Sequence, residues 1–393
     1  MEAVRVLWDE SFLDYDFGPG HPMSPIRLEL TARLARDLGI FHHAGVVLAG
    51  ADPAPDDLLT TVHTPDYVAA VRAASVDLGY LDEDLGLGTD DVPVFPDMHE
   101  ASARTVGATV SAALAVWNGE AAHAVNIGGG LHHAMPEKAS GFCVYNDAAV
   151  AIRALLAAGA ERVAYVDVDV HHGDGVERIF WDEPRVMTIS LHETGRVLFP
   201  GTGYPHDIGG SGAQGQAVNV AFPPGTADGP WLRAFHAVVP PLLRTFQPQV
   251  LITQHGCDSH VLDPLAHMAL SLDCQRESYL ALHDLAHETA GGRWVALGGG
   301  GYEIVDVVPR AWSHLLAIAA HHPLPPETEV PDTWRAYVEE RYGRQAPARM
   351  TDGRELWWRS WATGHDPEDP VDRAVMSTRK AVFPLHGLNA WFD

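Results

Sequence analysis

Glu161 to Gly175 reads ERVAYVDVDVHHGDG, and this stretch decides the fold. Val163, Tyr165, Val166, Val168 and Val170 make it strand-like. Such a nearly unbroken apolar run suits a parallel strand covered on both faces. Its C-terminal end, however, carries Asp167, Asp169, His171, His172 and Asp174. Three acids and two histidines would repel and desolvate one another in an ordinary core, and a bound cation removes that conflict. On an extended strand Asp169 and His171, two apart, point to the same side. One carboxylate and one imidazole there begin a divalent-metal site. Gly173 and Gly175 then allow a tight turn into a helix.

Outward from this stretch the chain alternates strand and helix. Residues 4–8 read as a strand. Ile26, Leu28, Leu30, Leu34 and Leu38 recur at helical spacing, which puts Arg27 on a solvated face. A helix is expected from Thr64, a good N-cap ahead of Pro65, and another over 100–118. Between them, 75–99 reads as a long acidic loop rich in Gly and Pro. Strands follow at 121–127, 186–192, 217–222 and 249–254. A strand-then-glycine run at 295–304 precedes a helix to about 320. Asn146 and Asp147 are expected to cap a helix over 148–158. Polar residues gather at strand C-termini. The pattern predicts a mostly parallel, doubly wound α/β sheet with one composite site along that edge. Residues 1–320 are expected to form one domain carrying that site, and the tryptophan-bearing segment 321–393 is expected to be a helical appendage packed on it.

Composition narrows the function. The chain has 393 residues, 46% hydrophobic, with no membrane-length apolar run. Its N-terminus lacks the pattern of a signal peptide. Three cysteines without a CxxC argue against a disulfide framework and for a reducing cytoplasm. A net charge of −26, with no basic cluster, argues against a nucleic-acid partner; such a surface would steer cationic ligands such as lysine-rich segments or polyamines, while composition alone favours simple solubility. The glycines after Ile127 suggest a phosphate loop, but no GKS, GKT or GxGxxG supports it.

Three residues emerge as candidate ligands of one metal: Asp169, His171 and Asp258. A His/Asp/Asp set leaves a coordination position for water, as catalytic zinc requires. His132 and His133, past a strand end, could serve as acid and base, with Asp167 and Asp174 orienting them. Tyr302, after four glycines, could donate to a developing oxyanion.

The motifs LHHA, GFC with ND, DVDVHHGDG, LFPGTG and GGGGY, in this order from His21 to about residue 320, resemble the zinc-dependent histone deacetylase superfamily. DLGLGTDDVPVFPDMHE and HETGRVLFPGTG make the resemblance closest to the bacterial acetoin-utilisation (AcuC-type) deacetylases. It implies an arginase-like α/β sheet and Zn²⁺ on Asp169, His171 and Asp258. It implies His133 as general base and His132 as its electrostatic partner, backed by Asp174 and Asp167 respectively, with Tyr302 polarising the substrate carbonyl. Asp91 resembles the loop aspartate that holds the substrate backbone. Gly141 and Phe142 resemble one tunnel wall, and Leu198, Phe199 and Leu265 the other, with Gly300 also in the substrate-binding set. Asp167, Asp169, His171, Ser190 and Leu191 resemble a structural K⁺ site, and Arg27 the arginine of the product-exit region. The implied reaction releases acetate from acetyl-lysine in proteins, with acetyl-CoA synthetase among the implied partners. Two departures stand out: GFCVYND where the family often has GFCYVND, and Leu198 where many relatives have Phe, which implies a relaxed aromatic sandwich.

Other functions make distinguishable demands. An acetylpolyamine deacetylase wants an acidic gatekeeper, for which Glu193 and Asp91 are the candidates. A dinuclear manganese ureohydrolase wants an aspartate where Gly173 stands. A non-catalytic acyl-lysine reader would leave the acid/base pair and Tyr302 without a task.

Overall fold

Apolar runs containing valine become the strands, and those over 123–126, 163–167, 186–193 and 250–254 end in a polar residue. The computed structural model describes residues 3–393. Its eight strands are β1 (Val4–Leu7), β2 (Val46–Ala49), β3 (His123–Asn126), β4 (Val163–Asp167), β5 (Val186–Glu193), β6 (Ala217–Phe222), β7 (Val250–Gln254) and β8 (Trp294–Leu297). They form one sheet in the order β2-β1-β3-β8-β7-β4-β5-β6. Every pairing is parallel. β3, β4, β7 and β8 are buried along their whole length, as strands covered on both faces must be.

The helices are α1 (Ile26–Asp37), α2 (Asp56–Leu59), α3 (Pro65–Ala74), α4 (Met98–Trp117), α5 (Asp147–Ala157), α6 (Asp174–Ile179), α7 (Asp228–Phe246), α8 (Leu272–Ala290), α9 (Val308–Ala319), α10 (Asp332–Tyr342) and α11 (Pro370–Val382). Thr64 caps α3 by accepting from the Tyr67 amide. No helix among the described residues is long and apolar enough to cross a membrane.

Sequence order and spatial order diverge in a way that builds the site. β3, β8, β7 and β4 are neighbours although residues 123 to 297 separate their sequences. Their C-terminal loops therefore open onto one edge, the crevice where α/β folds bind ligands.

Several expectations need correction. β4 ends at Asp167, so Asp169 and His171 lie beyond it. Their common direction comes from a bend in which the His171 amide donates to Asp169 Oδ1 at 2.9 Å, not from strand pleating. Asn146 caps α5 through the Ala149 amide, but Asp147 does not. Its carboxylate accepts from the amides of Gly130 and Leu131 and from Thr109 Oγ1, fixing the loop after β3. Gly173 and Gly175 do not supply a left-handed turn; their role is close approach. A Cβ on Gly173 would lie 2.4 Å from Asp167 Oδ2, and one on Gly175 2.5 Å from the His132 carbonyl. Arg27 does not face solvent. It is buried beside Trp312 and donates to the carbonyls of Gly299 and Gly301.

The chain after Ala320 packs in two places. Trp334 of α10 joins a small cluster with Leu30, Leu34 and Val305, and its indole donates to the Leu30 carbonyl at 3.0 Å. α11 lies against α7 and β6, where buried Asp372 pairs with Arg233. Of the tryptophans in this segment, Trp334 and Trp361 are buried while Trp357 and Trp391 stay exposed.

Candidate active site

Asp169, His171 and Asp258 converge above β4 and β7. His171 Nδ1 lies 3.1 Å from Asp169 Oδ1 and 3.1 Å from Asp258 Oδ2. All three are buried, and one donor atom from each falls within 4.8 Å of the others. Burial and the neighbouring Asp169 charge push the Asp258 carboxyl up to about 7. Burial would raise Asp169 too, but His132 and His171 outweigh it and hold that group well below the usual carboxylate range. Two desolvated carboxylates thus compete for positive charge at one point, which a divalent ion would supply. The donor set fits zinc: one nitrogen, two oxygens and no fourth protein ligand among the described residues. Asp263, the next acid along, is occupied by the amides of Tyr302 and Leu265. This does not provide the extra bridging carboxylate of a dinuclear site.

The histidine pair sits beside this cluster, with ring centroids 4.0 Å apart. His132 Nδ1 is 2.7 Å from Asp167 Oδ2, and His133 Nδ1 is 2.6 Å from Asp174 Oδ1. Their environments drive them apart. Burial lowers His132, but Asp167 and Asp169 overcome it and lift the imidazole to about 9. Burial and the charge on His132 push His133 down to about 4. In the metal-free chain at neutral pH, one imidazole is therefore charged and its neighbour is a free base, the separation that acid/base assignments require.

A pocket of about 280 Å³ leads to these groups, lined by Asp91, His133, Gly141, Phe142, His171, Leu198, Phe199, Leu265 and Tyr302. Phe142 meets Tyr302 edge-on, and Phe199 stands against His133, with centroids 5.7 and 5.0 Å apart. Both aromatic walls are thus present, and Phe199 supplies the ring that the Leu198 departure appeared to remove. Asp91 sits at the rim, where its Oδ2 accepts from the Gly141 amide at 2.7 Å. Gly300 lies behind the candidate metal ligands, not on the pocket wall, and its amide donates to Asp169 Oδ2 at 2.9 Å. Glu193 is buried, bound by both its oxygens to His267, so it is not a gatekeeper. Ser190 Oγ contacts the Gly173 amide and His192, while Leu191 continues β5 below the bend.

The glycine run after β8 is packed, not loose. A Cβ on Gly298, Gly299, Gly300 or Gly301 would lie 2.0 to 2.5 Å from Ile127 O, Gln254 Nε2, Asp258 Oδ2 or Cys257 Sγ. It brings the Tyr302 backbone to Asp263, whose carboxylate accepts its amide at 2.8 Å. Burial raises the Tyr302 phenol well above its usual value, so it stays a neutral donor.

Of three supporting residues, Gln254 and Tyr165 escape a reading for reactive motifs, whereas Asp263 stands with Asp258 just past a strand end. Gln254 donates to Asp169 Oδ2 at 2.8 Å. Asp263 fixes Tyr302, and Tyr165 donates to Asp167 Oδ2 at 2.8 Å. For Gln254 the signal was available: it is a polar residue closing an apolar strand, as Asp167 is.

The fold and this site define a metal-dependent amide hydrolase of the histone deacetylase class. A histone deacetylase domain model matches residues 21–319, and the chain belongs to that family. It is similar to the acetoin utilization protein AcuC of Bacillus subtilis (strain 168), 39% identical over 95% of this chain and 93% of that one. The AcuC protein of Staphylococcus xylosus is 36% identical over 90% and 92%. Among solved structures, the HDA15 HD domain superposes with a TM-score of 0.72 at 28% identity, covering 82% of this chain and 91% of that one. Zinc dependence is the norm of the family.

Proposed function

We propose that this chain removes the acetyl group from acetyl-lysine side chains of proteins. The observation that carries the reading is the pocket itself. Its two aromatic walls fit an extended aliphatic stem, and it ends at His133 and His171. Asp91 at its rim offers an acceptor to a substrate backbone amide. Bound Zn²⁺ on Asp169, His171 and Asp258 would lower the pKa of a water and polarise the acetyl carbonyl. His133, neutral and held through Nδ1 by Asp174, takes the proton from the attacking water at Nε2. Tyr302 donates to the carbonyl oxygen as it gains charge. His132 contributes positive charge beside the reacting centre, and an imidazole returns a proton to the leaving amine. The products are acetate and a free ε-amine.

The wider setting belongs to the same proposal. The enzyme works in the cytoplasm on acetylated proteins, with acetyl-CoA synthetase a candidate substrate, and it does not bind nucleic acid. A structural K⁺ is held around Asp167, Asp169, His171, Ser190 and Leu191. The test is side-by-side turnover of acetyl-lysine peptides and acetylpolyamines. Higher kcat/KM on peptides supports the proposal; preference for acetylpolyamines overturns it.

A further inference from the structure

Four histidines outside the active site form a second convergent set. His283 and His287 are four apart on α8 and share a face. His123 is the first residue of β3, and His321 follows α9. The six ring-centroid separations among them run from 4.5 to 5.6 Å. One nitrogen from each lies within 4.8 Å of the others. Because the sheet is parallel, the start of β3 lies at the edge opposite the catalytic pocket, and none of the four lines that pocket.

A second observation points to a ligand. The His123 side chain is fully buried, at 0% exposure. Its Nδ1 lies 2.8 Å from the Ala319 carbonyl, which can only accept, so Nδ1 carries the proton. Nε2 is then a lone pair, and it is buried without a partner. Proteins avoid leaving such an acceptor unmatched. A metal-bound histidine typically has this arrangement, with its other nitrogen donating to a carbonyl or carboxylate. His283 shows a related one, with Nδ1 3.4 Å from Asp284 Oδ1 and Nε2 facing the cluster.

Spacing agrees. His283 Nε2 and His321 Nδ1 are 3.2 Å apart. Two nitrogens bound tetrahedrally to zinc at about 2.0–2.1 Å lie roughly 3.3 Å from each other. Trp294 packs against His123 and His283 on the inner side. His287 and His321 are solvent-exposed and give an ion access.

We propose that His123, His283, His287 and His321 form a second metal site, for a divalent first-row cation that prefers imidazole nitrogen, such as Zn²⁺, Ni²⁺ or Cu²⁺. The absence of carboxylate from the set disfavours Mg²⁺ and Ca²⁺. The bound ion ties α8 and the end of α9 to the start of β3, a structural role that does not depend on the deacetylase reading.

The test uses the full chain without an affinity tag, dialysed against Zn²⁺, with bound metal measured by mass spectrometry. Wild type should hold two ions per chain, His287→Ala one, Asp258→Ala one, and the double variant none. His287 is exposed, so His287→Ala should keep the fold and the deacetylase kcat. A variant of the stacked pair His43 and His322, whose rings are 4.1 Å apart, serves as control and should still hold two. Copper-loaded Asp258→Ala should show nitrogen hyperfine structure that adding His287→Ala to the same chain abolishes. Two ions retained in His287→Ala, an ion lost equally from the control, or a copper spectrum without nitrogen coupling would each overturn the proposal.

Discussion

Gly300→Ala should disable the enzyme without unfolding it. A Cβ at this position would lie 2.0 Å from Asp258 Oδ2 and 2.9 Å from Asp169 Oδ2, against the 3.4 Å or more of ordinary contact. The backbone of Gly300 is not in the left-handed region, so the damage comes from contact rather than strain. Asp258 has nowhere to go. It is fully buried, its Oδ1 accepts from the Val170 amide at 2.9 Å, and its Oδ2 faces His171. Restoring ordinary contact moves a candidate metal ligand by more than an ångström. Displacement on that scale can cost roughly 10²-fold in turnover. Metal content and kcat on an acetyl-lysine peptide should therefore fall together, while circular dichroism stays native. Gly212→Ala is the control, since its Cβ would meet only Asp182, at 3.4 Å from the carbonyl oxygen and 3.8 Å from Oδ1, both ordinary contacts. Full metal content with wild-type kcat in Gly300→Ala would refute the reasoning.

Tyr302→Phe should keep metal and peptide affinity but lose roughly 10²–10³-fold in kcat, the usual cost of one oxyanion donor; steady-state kinetics in which only KM changes would assign it to substrate grip instead. Asp174→Asn should lower kcat about 10–100-fold by loosening His133, with an unchanged melting temperature. The matching Asp167→Asn should lower both, because Asp167 also holds the Tyr165 hydroxyl and the Asp169 amide; equal effects in the two variants would contradict this difference. Asp352 anchors the C-terminal segment to His260, the Leu272 amide and Arg310. Burial opposes its charge, but these partners hold the carboxyl below its ordinary value. A depressed value stabilises the fold above the unfolded pKa and is lost as pH falls. Asp352→Asn should therefore cost about 2 kcal/mol at pH 7, and denaturant titrations should show that cost shrinking below about pH 4. A pH-independent cost would remove the charge from the explanation.

The reach of the sequence follows from where its signals lie. β4 and β7 are legible because apolar runs end abruptly in Asp167 and Gln254, and the same signal marks the site edge. β2 is not, because it is an edge strand with Val47 and Leu48 exposed and no alternation to read. α8 is hidden differently: its buried face includes Gln275, Ser278 and Thr289, so polar residues break the helical period. The site residues were nameable from motifs, but their pairing was not derivable from spacing, because β8 and β7 insert between β3 and β4 only in three dimensions. The tetrad of His123, His283, His287 and His321 shows the same limit, since only the i, i+4 pair is visible in the chain. The glycine run at 298–301 is the instructive case. Read as sequence, four glycines ahead of Tyr302 suggest mobility. In the fold each fills a space where a methyl group would strike Ile127, Gln254, Asp258 or Cys257. Arg27 holds two of their carbonyls from behind. Glycine there permits close packing, and close packing is what sets Tyr302 at a fixed distance from the candidate metal ligands. A residue whose value lies in what it leaves out cannot announce its neighbours, so the need for it becomes visible only once those neighbours are placed.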